Sequence, residues 1–236
     1  MRCILIRKMK ELLLQPRLQH LADLIPQGAR LADVGTDHGY LPVWLMQHDR
    51  VKYAIAADIA QEPLDHARRT AEEYGIEDIR FRLCSGLDGI DSKEVDYIVI
   101  AGMGGDTIVS ILSSAPWTKD GAKLLLQPMT KIEMLRSWLA DNGYRYIAES
   151  LVWDKDHLYP VMEIVGGPQE KLTAAEEWAG IKFAEDPLYG EYLSHQITRL
   201  QKAIDGLNKA NDCCSHDRAC EFESIQKALE EKRNAL

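Results

Sequence analysis

Residues 31–39 read Leu31-Ala-Asp33-Val-Gly35-Thr-Asp37-His38-Gly39 and decide the fold. A short apolar run ends in a glycine turn, and residues 40–48 then follow with the pattern of a helix. Gly35 permits the tight turn, and Gly39 is expected to let the helix pack close to the sheet. Asp58 ends the next β-rich run, at the spacing where a carboxylate receives both hydroxyls of a ribose. This pattern predicts a nucleoside-type ligand at a strand–turn–helix unit.

Around this unit, short β-rich runs alternate with helical patterns as far as residue 165. The predicted strands cover 30–34, 53–59, 79–83, 95–102 and 122–128, the last one ended by Pro128. Two further strands at 144–153 and 159–165, joined by a polar turn, indicate a hairpin. Such alternation predicts right-handed crossovers and a mainly parallel, Rossmann-like α/β sheet.

After a Gly-Gly-Pro break at 166–168 the pattern becomes helical only. We therefore predict two domains, a Rossmann-like domain over 1–166 and a helical hairpin domain over 167–236. The two long helices of the hairpin are expected to be joined by a polar loop at 211–220. A stripe in the first of them resembles a coiled-coil heptad and comprises Leu188, Tyr192, Ile197, Leu200, Ile204 and Leu207.

The composition is that of a globular protein in a reducing compartment. The chain has 236 residues, 46% of them hydrophobic, and a net charge of −9. It contains no apolar stretch long enough for a transmembrane helix, and its N-terminus is a poor signal peptide. The odd, uneven set of cysteines argues against disulfides and predicts a cytoplasmic location. These are Cys3, Cys84, Cys213, Cys214 and Cys220.

The acidic balance argues against a nucleic-acid partner, but the charge is unevenly distributed. Residues 1–30 hold six basic and two acidic side chains, a local charge of +4. One interpretation is a solvated amphipathic helix. The other is a phosphate-contacting patch for RNA, centred on Arg7, Lys8, Lys10 and Arg17.

Asp37 discriminates between two cofactor classes at the glycine turn. A dinucleotide pyrophosphate presses against this position, and a carboxylate ~4 Å away repels it by several kcal/mol. S-adenosylmethionine carries a sulfonium and an ammonium group, which both favour Asp33 or Asp37 nearby. The pattern therefore favours S-adenosylmethionine; the alternative is a turn without ligand, in which Asp37 only caps the helix.

Two later segments lie where this cofactor needs contacts. Cys84-Ser85-Gly86-Leu87 follows the third strand, where Leu87 is expected either to pack on adenine or to be a core residue. Residues 101–105, Ala-Gly102-Met103-Gly-Gly, follow the fourth strand, and their glycines leave room for close backbone approach to cofactor or base. The chain lacks the Asn/Asp-Pro-Pro-Tyr motif found there in many amino-group methyltransferases, which disfavours an exocyclic amine as the target.

Several motifs together resemble the bacterial tRNA (adenine-N1)-methyltransferases of the TrmK family. They are Pro16-Arg17-Leu18, Ile25-Pro-Gln-Gly-Ala29, Ala32-Asp-Val-Gly-Thr-Asp-His-Gly-Tyr-Leu-Pro42, Gly86-Leu87-Asp88 and Ala101-Gly-Met-Gly-Gly105. The resemblance implies a Rossmann-like class I methyltransferase domain with a helical, coiled-coil-like C-terminal domain. It also implies methyl transfer from S-adenosylmethionine to N1 of adenine 22 in tRNA.

Residue roles follow from the resemblance by position. Asp33, Gly35, Asp37, His38 and Gly39 would line the methionine end of the cofactor. Asp58 would hold the ribose, Ser85-Gly86-Leu87 the adenine, and Gly102-Met103 the floor near the methyl group. Cys84-Ser85 departs from the Gly-Asn that the family leads us to expect.

The chemistry of N1 methylation needs few catalytic groups. Adenine N1 is already nucleophilic, so an in-line displacement mainly requires alignment. Asp37 is the candidate that stabilises the developing positive charge, and His38 is expected to orient the base or accept a proton. An alternative for His38 is a helix-turn residue bonded to backbone. No metal is predicted, because the adjacent Cys213 and Cys214, with His216 and Cys220, make poor chelate geometry.

Two alternative functions remain open from the residues. One is a methyltransferase that acts on a small molecule or a protein, which the net acidity favours. The other is a non-catalytic cofactor-binding module whose helical tail binds a partner.

Overall fold

The structure is a computed structural model and describes residues 11–183, 185–209 and 213–236. Seven strands form one sheet in the order β3-β2-β1-β4-β5-β7-β6. Strands β1 to β5 pair in parallel, whereas β7 runs antiparallel to both β5 and β6. This arrangement confirms the predicted Rossmann-like sheet with a terminal hairpin. The strands are β1 (Ala29–Val34), β2 (Val51–Asp58), β3 (Ile79–Leu83), β4 (Tyr97–Gly104), β5 (Lys123–Thr130), β6 (Tyr144–Asp154) and β7 (His157–Gly166).

Helices cover both faces of the sheet and continue beyond its last strand. They are α1 (Pro16–Asp23), α2 (Tyr40–Gln47), α3 (Gln61–Tyr74), α4 (Gly105–Ser114), α5 (Ile132–Asp141), α6 (Ala174–Ala179), α7 (Tyr189–Leu207) and α8 (Cys213–Asn234). Two separate clusters of buried apolar side chains lie against the sheet. Strands covered on both faces are apolar almost throughout, which explains the continuous hydrophobic runs of β4 and β5.

The strand order reverses at β1, which lies between β2 and β4. From β1 the chain crosses to β2 on one side, and from β3 it returns to β4 on the other side. Loops at the carboxyl ends of β1 and β4 therefore diverge and leave a crevice between them. In open α/β sheets this crevice is where ligands bind.

Strand β5 continues through Pro128 to Thr130, so the prediction that Pro128 ends the strand is wrong. Pro128 pairs with Met103 of β4 at a point where the register shifts on both sides. On the other edge, β7 pairs with residues 124–126 of β5. Pro128 therefore lies in an irregular part of the ladder, where its missing N–H is tolerated.

The C-terminal helices pack on one another and on the end of the sheet. Hydrogen bonds from Gln226 to Ile197 and Gln201, and from Arg233 to Ser194, show that α7 and α8 run antiparallel, as the hairpin prediction expected. A third apolar cluster joins these helices to Leu151 of β6. The predicted polar loop at 211–220 is wrong, because α8 already begins at Cys213. The division into domains at residue 166 stays a prediction.

A buried ion pair links the helical tail to the sheet. Nη2 of Arg136 in α5 lies 2.9 Å from Oε1 of Glu149 in β6, and both side chains are fully buried. The guanidinium also donates to the carbonyls of Glu177 and Trp178, and Glu149 accepts the backbone N–H groups of Ile181 and Lys182. This network fixes α6 and the loop after it against β6.

Within the described residues, no helix is long and apolar enough to cross a membrane. The same residues contain no group of three or more His, Cys, Asp or Glu side chains placed to hold a metal ion. Of the candidate ligands near 213–220, Cys214, His216 and Cys220 are exposed on α8. The side chain of Cys213 lies outside the described set.

Candidate functional site

A cavity of about 430 Å³ opens at the crevice between β1 and β4. Its size is in the range of small-molecule sites. The lining comprises Arg17, Leu18, Asp33, Gly35, Thr36, Asp37, His38, Tyr40, Leu41, Asp58, Ala101, Gly102 and Met103. The structure thus brings most of the sequence-predicted cofactor residues together at the expected edge of the sheet.

The turn after β1 is held by hydrogen bonds to the neighbouring strand. The N–H groups of Gly35 and Thr36 both donate to the carbonyl of Ala57 in β2, at 2.8 and 3.1 Å. Gly35 has a φ of +72°, which the tight turn requires. Gly39 has a φ of +68°, and a Cβ there would lie 2.8 Å from the Cβ of Ala67. The close packing at Gly39 is therefore with α3, not with the sheet as predicted.

Asp33 is buried at the base of the cavity, with 6% of its surface exposed. The Thr36 hydroxyl donates to its Oδ2 at 2.7 Å. Burial raises the pKa of Asp33 to about 6, against the effect of this hydrogen bond, and the nearby Asp58 adds to the rise. A cation bound in the cavity would favour the ionised carboxylate of Asp33.

Asp58 ends β2 on the far side of the turn and accepts the N–H of Ala60 at 3.0 Å. The next residue, Ile59, leaves 73% of its surface exposed. Ile59 follows the predicted ribose ligand in the chain but is not among the residues that line the cavity.

Asp37 and His38 lie at the mouth of the cavity. Asp37 is exposed, has a φ of +50°, and its Oδ1 lies 3.7 Å from His38 Nε2. The His38 ring stacks between those of Tyr40 and His66, with centroid distances of 5.3 and 5.0 Å. His66, to which the sequence analysis gave no role, thus supports the orientation of His38.

The last residues of β4 form the opposite wall. Gly102 has a φ of +78°, and its N–H donates to the side-chain oxygen of Gln127 in β5 at 3.1 Å. Met103 reaches across to the turn after β1, since a Cβ on Gly35 would lie 2.1 Å from Met103 Cε. The two predicted loops therefore meet at the cavity floor.

The segment after β3 lies outside the cavity lining. Ser85 is exposed, and a Cβ on Gly86 would meet the Ile111 side chain at 3.0 Å. Leu87 is 3% exposed and belongs to the core cluster on that face of the sheet. Leu87 is therefore a core residue, which was one of the two expectations for it. A contact of this segment with adenine stays a prediction.

The predicted RNA patch is described only in part. Arg7, Lys8 and Lys10 lie outside the described residues. Arg17 lies on α1 and lines the cavity, where its Nη1 donates to the Gln127 side chain at 2.7 Å. Gln127, which was not among the predicted site residues, therefore joins α1 to the end of β4.

Comparison with known proteins agrees with this geometry. A family model described as a methyltransferase domain matches residues 14–162, so the chain belongs to the methyltransferase-domain class. The tRNA (adenine(22)-N(1))-methyltransferase of Bacillus subtilis is 32% identical over 96% of this chain and 91% of its own length. At that identity and coverage, the chain belongs to the bacterial tRNA (adenine(22)-N(1))-methyltransferase family, TrmK.

Solved structures show the same relationship. The crystal structure of the B. subtilis m1A22 tRNA methyltransferase TrmK has a TM-score of 0.83 and 29% identity, covering 94% of this chain and 99% of that one. The M. capricolum TrmK structure, in complex with the cofactor product S-adenosylhomocysteine, has a TM-score of 0.78 and 31% identity. That match covers 94% of this chain and 98% of the other. The likeness thus includes the helical tail.

Proposed function

We propose that this protein transfers a methyl group from S-adenosylmethionine to N1 of adenine 22 in tRNA. The observation that carries the proposal is the acidic cavity at the strand-order reversal of a chain in the TrmK family. We infer that the protein acts in the cytoplasm, where tRNA is available as substrate.

The residues of the cavity fit a cationic cofactor. Among the described residues, the lining carries three carboxylates, Asp33, Asp37 and Asp58, against one guanidinium, that of Arg17. A pyrophosphate would be repelled by this set, whereas a sulfonium and an ammonium group are attracted. When bound, S-adenosylmethionine supplies the methyl group that is transferred.

We assign the cofactor contacts residue by residue. Asp33, Gly35, Asp37, His38 and Gly39 form the turn that we propose for the methionine end of the cofactor. Asp58 is placed to receive the ribose hydroxyls, because it ends β2 beside that turn. Gly102 and Met103 form the floor near the methyl group. Ser85, Gly86 and Leu87 are the proposed adenine segment; because the Leu87 side chain is buried in the core, the backbone of the segment and the exposed Ser85 would make the contact.

Asp37 and His38 are the residues that we propose for catalysis. Both lie at the open mouth of the cavity, where the substrate base must approach. The methylated adenine is cationic, so a carboxylate at Asp37 would stabilise the charge that develops during transfer. His38, held between two rings, would orient the base or accept a proton from its exocyclic amine.

The N-terminal segment is the proposed RNA contact. Arg7, Lys8 and Lys10 stay predicted phosphate contacts. Arg17 at the start of α1 brings this segment to the cavity edge, which supports the expectation that it crosses the face where the cofactor binds.

Methyl transfer from radiolabelled S-adenosylmethionine tests the function against its alternatives. The protein is incubated separately with unmodified bulk tRNA, a small-molecule extract and a protein extract. We expect label in tRNA only. Asp58→Ala should weaken cofactor binding about 10- to 100-fold, the cost of hydrogen bonds to a charged acceptor, whereas the matched control Asp65→Ala on α3 should not. Label in the small-molecule or protein fraction alone would overturn the proposal.

A further inference from the structure

Gln127 is a fully buried amide inside β5, directly before Pro128, with 0% of its surface exposed. Its side-chain oxygen accepts two hydrogen bonds, from the Gly102 N–H at 3.1 Å and from Arg17 Nη1 at 2.7 Å. Its amide nitrogen donates to the carbonyl of Pro128 at 3.1 Å. A buried amide with this set of partners holds its neighbours in fixed positions.

Arg17 is the second member of this network and spans two strands. While Nη1 binds Gln127 of β5, Nε lies 3.6 Å from Oδ2 of Asp154 at the end of β6. The Arg17 side chain is 19% exposed and that of Asp154 is 9% exposed. On the same helix, His20 hydrogen-bonds Ser150 of β6 at 2.7 Å. Helix α1 is therefore fixed across the end of the sheet at two points.

The network ends at the floor of the cavity. Gly102 is held by Gln127, and the next residue, Met103, packs directly on the Gly35 turn. A shift of Gly102 would move Met103 relative to that turn. Misplacement by about 1 Å near a reacting centre can reduce a rate about 100-fold.

We propose that Arg17 and Gln127 are positioning residues for methyl transfer. The guanidinium of Arg17 hydrogen-bonds Gln127 while its Nε lies within ion-pair distance of Asp154, and Gln127 transmits this restraint to Gly102. This inference rests on the proposed function and refines it, because it gives Arg17 a role inside the site in place of a phosphate contact.

The geometry favours positioning over phosphate binding for Arg17. Two of its nitrogens are directed at partners within the protein, and little of the side chain is exposed. Lysine carries a single compact ammonium group and cannot reproduce a two-point fork. Replacement by lysine therefore separates positioning from phosphate binding. A phosphate contact requires only the positive charge, whereas positioning requires the shape of the guanidinium group.

Steady-state kinetics with tRNA provides the first test. Arg17→Lys and Gln127→Met should each lower kcat about 10- to 100-fold, with the KM for tRNA and its salt dependence within twofold of the wild type. The matched controls are Arg145→Lys, at the opposite end of β6 from Asp154, and Gln19→Met, a half-buried residue of α1; both should keep the wild-type kcat. A raised KM with a flatter salt slope and unchanged kcat in Arg17→Lys would instead make Arg17 a phosphate contact.

Amide hydrogen exchange at Gly102 provides a test that does not depend on activity. Both variants should exchange this amide about tenfold faster than the wild type, which corresponds to the loss of a hydrogen bond. The double variant should add little to either single effect, because the two side chains act through one contact. Should Gln127→Met fail to fold, Arg17→Lys alone gives both measurements.

Failure of the proposed function can be distinguished from failure of the positioning role. If the wild type does not methylate tRNA but the Gly102 amide still exchanges faster in the two variants, the proposed function is refuted. The structural restraint of Gly102 by Arg17 and Gln127 then stands. Wild-type exchange at Gly102 in Arg17→Lys, together with wild-type kcat, would overturn the positioning role.

Discussion

Replacing Asp33 by asparagine should stabilise the ligand-free protein while weakening its cofactor binding. Asp33 is almost completely buried, and its pKa is raised from 3.8 to about 6, chiefly by desolvation. An asparagine at this position can still accept the Thr36 hydroxyl hydrogen bond through its amide oxygen. The substitution therefore removes the buried charge and keeps the shape of the turn.

The size of the effect follows from the pKa. The folded protein binds the Asp33 proton more tightly than the unfolded chain does, so stability falls as the pH rises from 3.8 to about 6. Each unit of pKa difference corresponds to about 1.4 kcal/mol. The free energy of unfolding of Asp33→Asn should thus exceed that of the wild type by about 3 kcal/mol at pH 8, and by only about 1 kcal/mol at pH 4.5.

Urea unfolding at both pH values measures this difference, and calorimetry at pH 8 measures binding of S-adenosylmethionine. Asp23→Asn, which alters an exposed carboxylate on α1, is a matched control and should change neither quantity. The wild type should also bind the cofactor more tightly as the pH rises through 6, because the ionised carboxylate attracts the cation. An asparagine variant no more stable than the wild type at pH 8, or equally stabilised at both pH values, would refute this reasoning.

Three further substitutions follow from the same geometry. Asp37→Asn should lower kcat by more than it weakens cofactor binding; equal losses in kinetics and calorimetry would make Asp37 a cofactor ligand only. Arg136→Met should lower the free energy of unfolding by about 3–5 kcal/mol, because Glu149 is left buried without its partner; an unchanged urea midpoint would contradict this. Gly35→Ala should cost about 1–2 kcal/mol in unfolding experiments, because its φ is +72° and Met103 occupies the Cβ position; wild-type stability would show that the turn relaxes freely.

The strands were predictable from local pattern, and the deviations have physical reasons. Alternating β-rich and helical runs gave the parallel sheet, and the polar turn before His157 gave the hairpin. Pro128 does not end β5, because the pairing around it is irregular. The first turns of α8 lack an apolar stripe, with only Ala219 buried over residues 214–220, so periodicity could not reveal them.

The site was predictable where neighbouring strands end in polar residues. Asp33 and Asp58 follow this rule, and they meet the glycine-rich end of β4 at one cavity. Gln127 carried the same signal, a polar residue at the end of an apolar strand, and was missed. The pairing of Gln127 with Arg17 joins residues 110 positions apart, and no local pattern encodes such a contact.

The central claim is tested most directly by mapping the methyl group on a defined RNA. An unmodified tRNA transcript is incubated with the protein and S-adenosylmethionine, and reverse transcription then locates N1-methyladenine, which blocks base pairing. We predict a single stop at adenine 22 that is absent when guanine replaces that base. Methylation elsewhere in the transcript, or undiminished transfer to the guanine variant, would contradict the account.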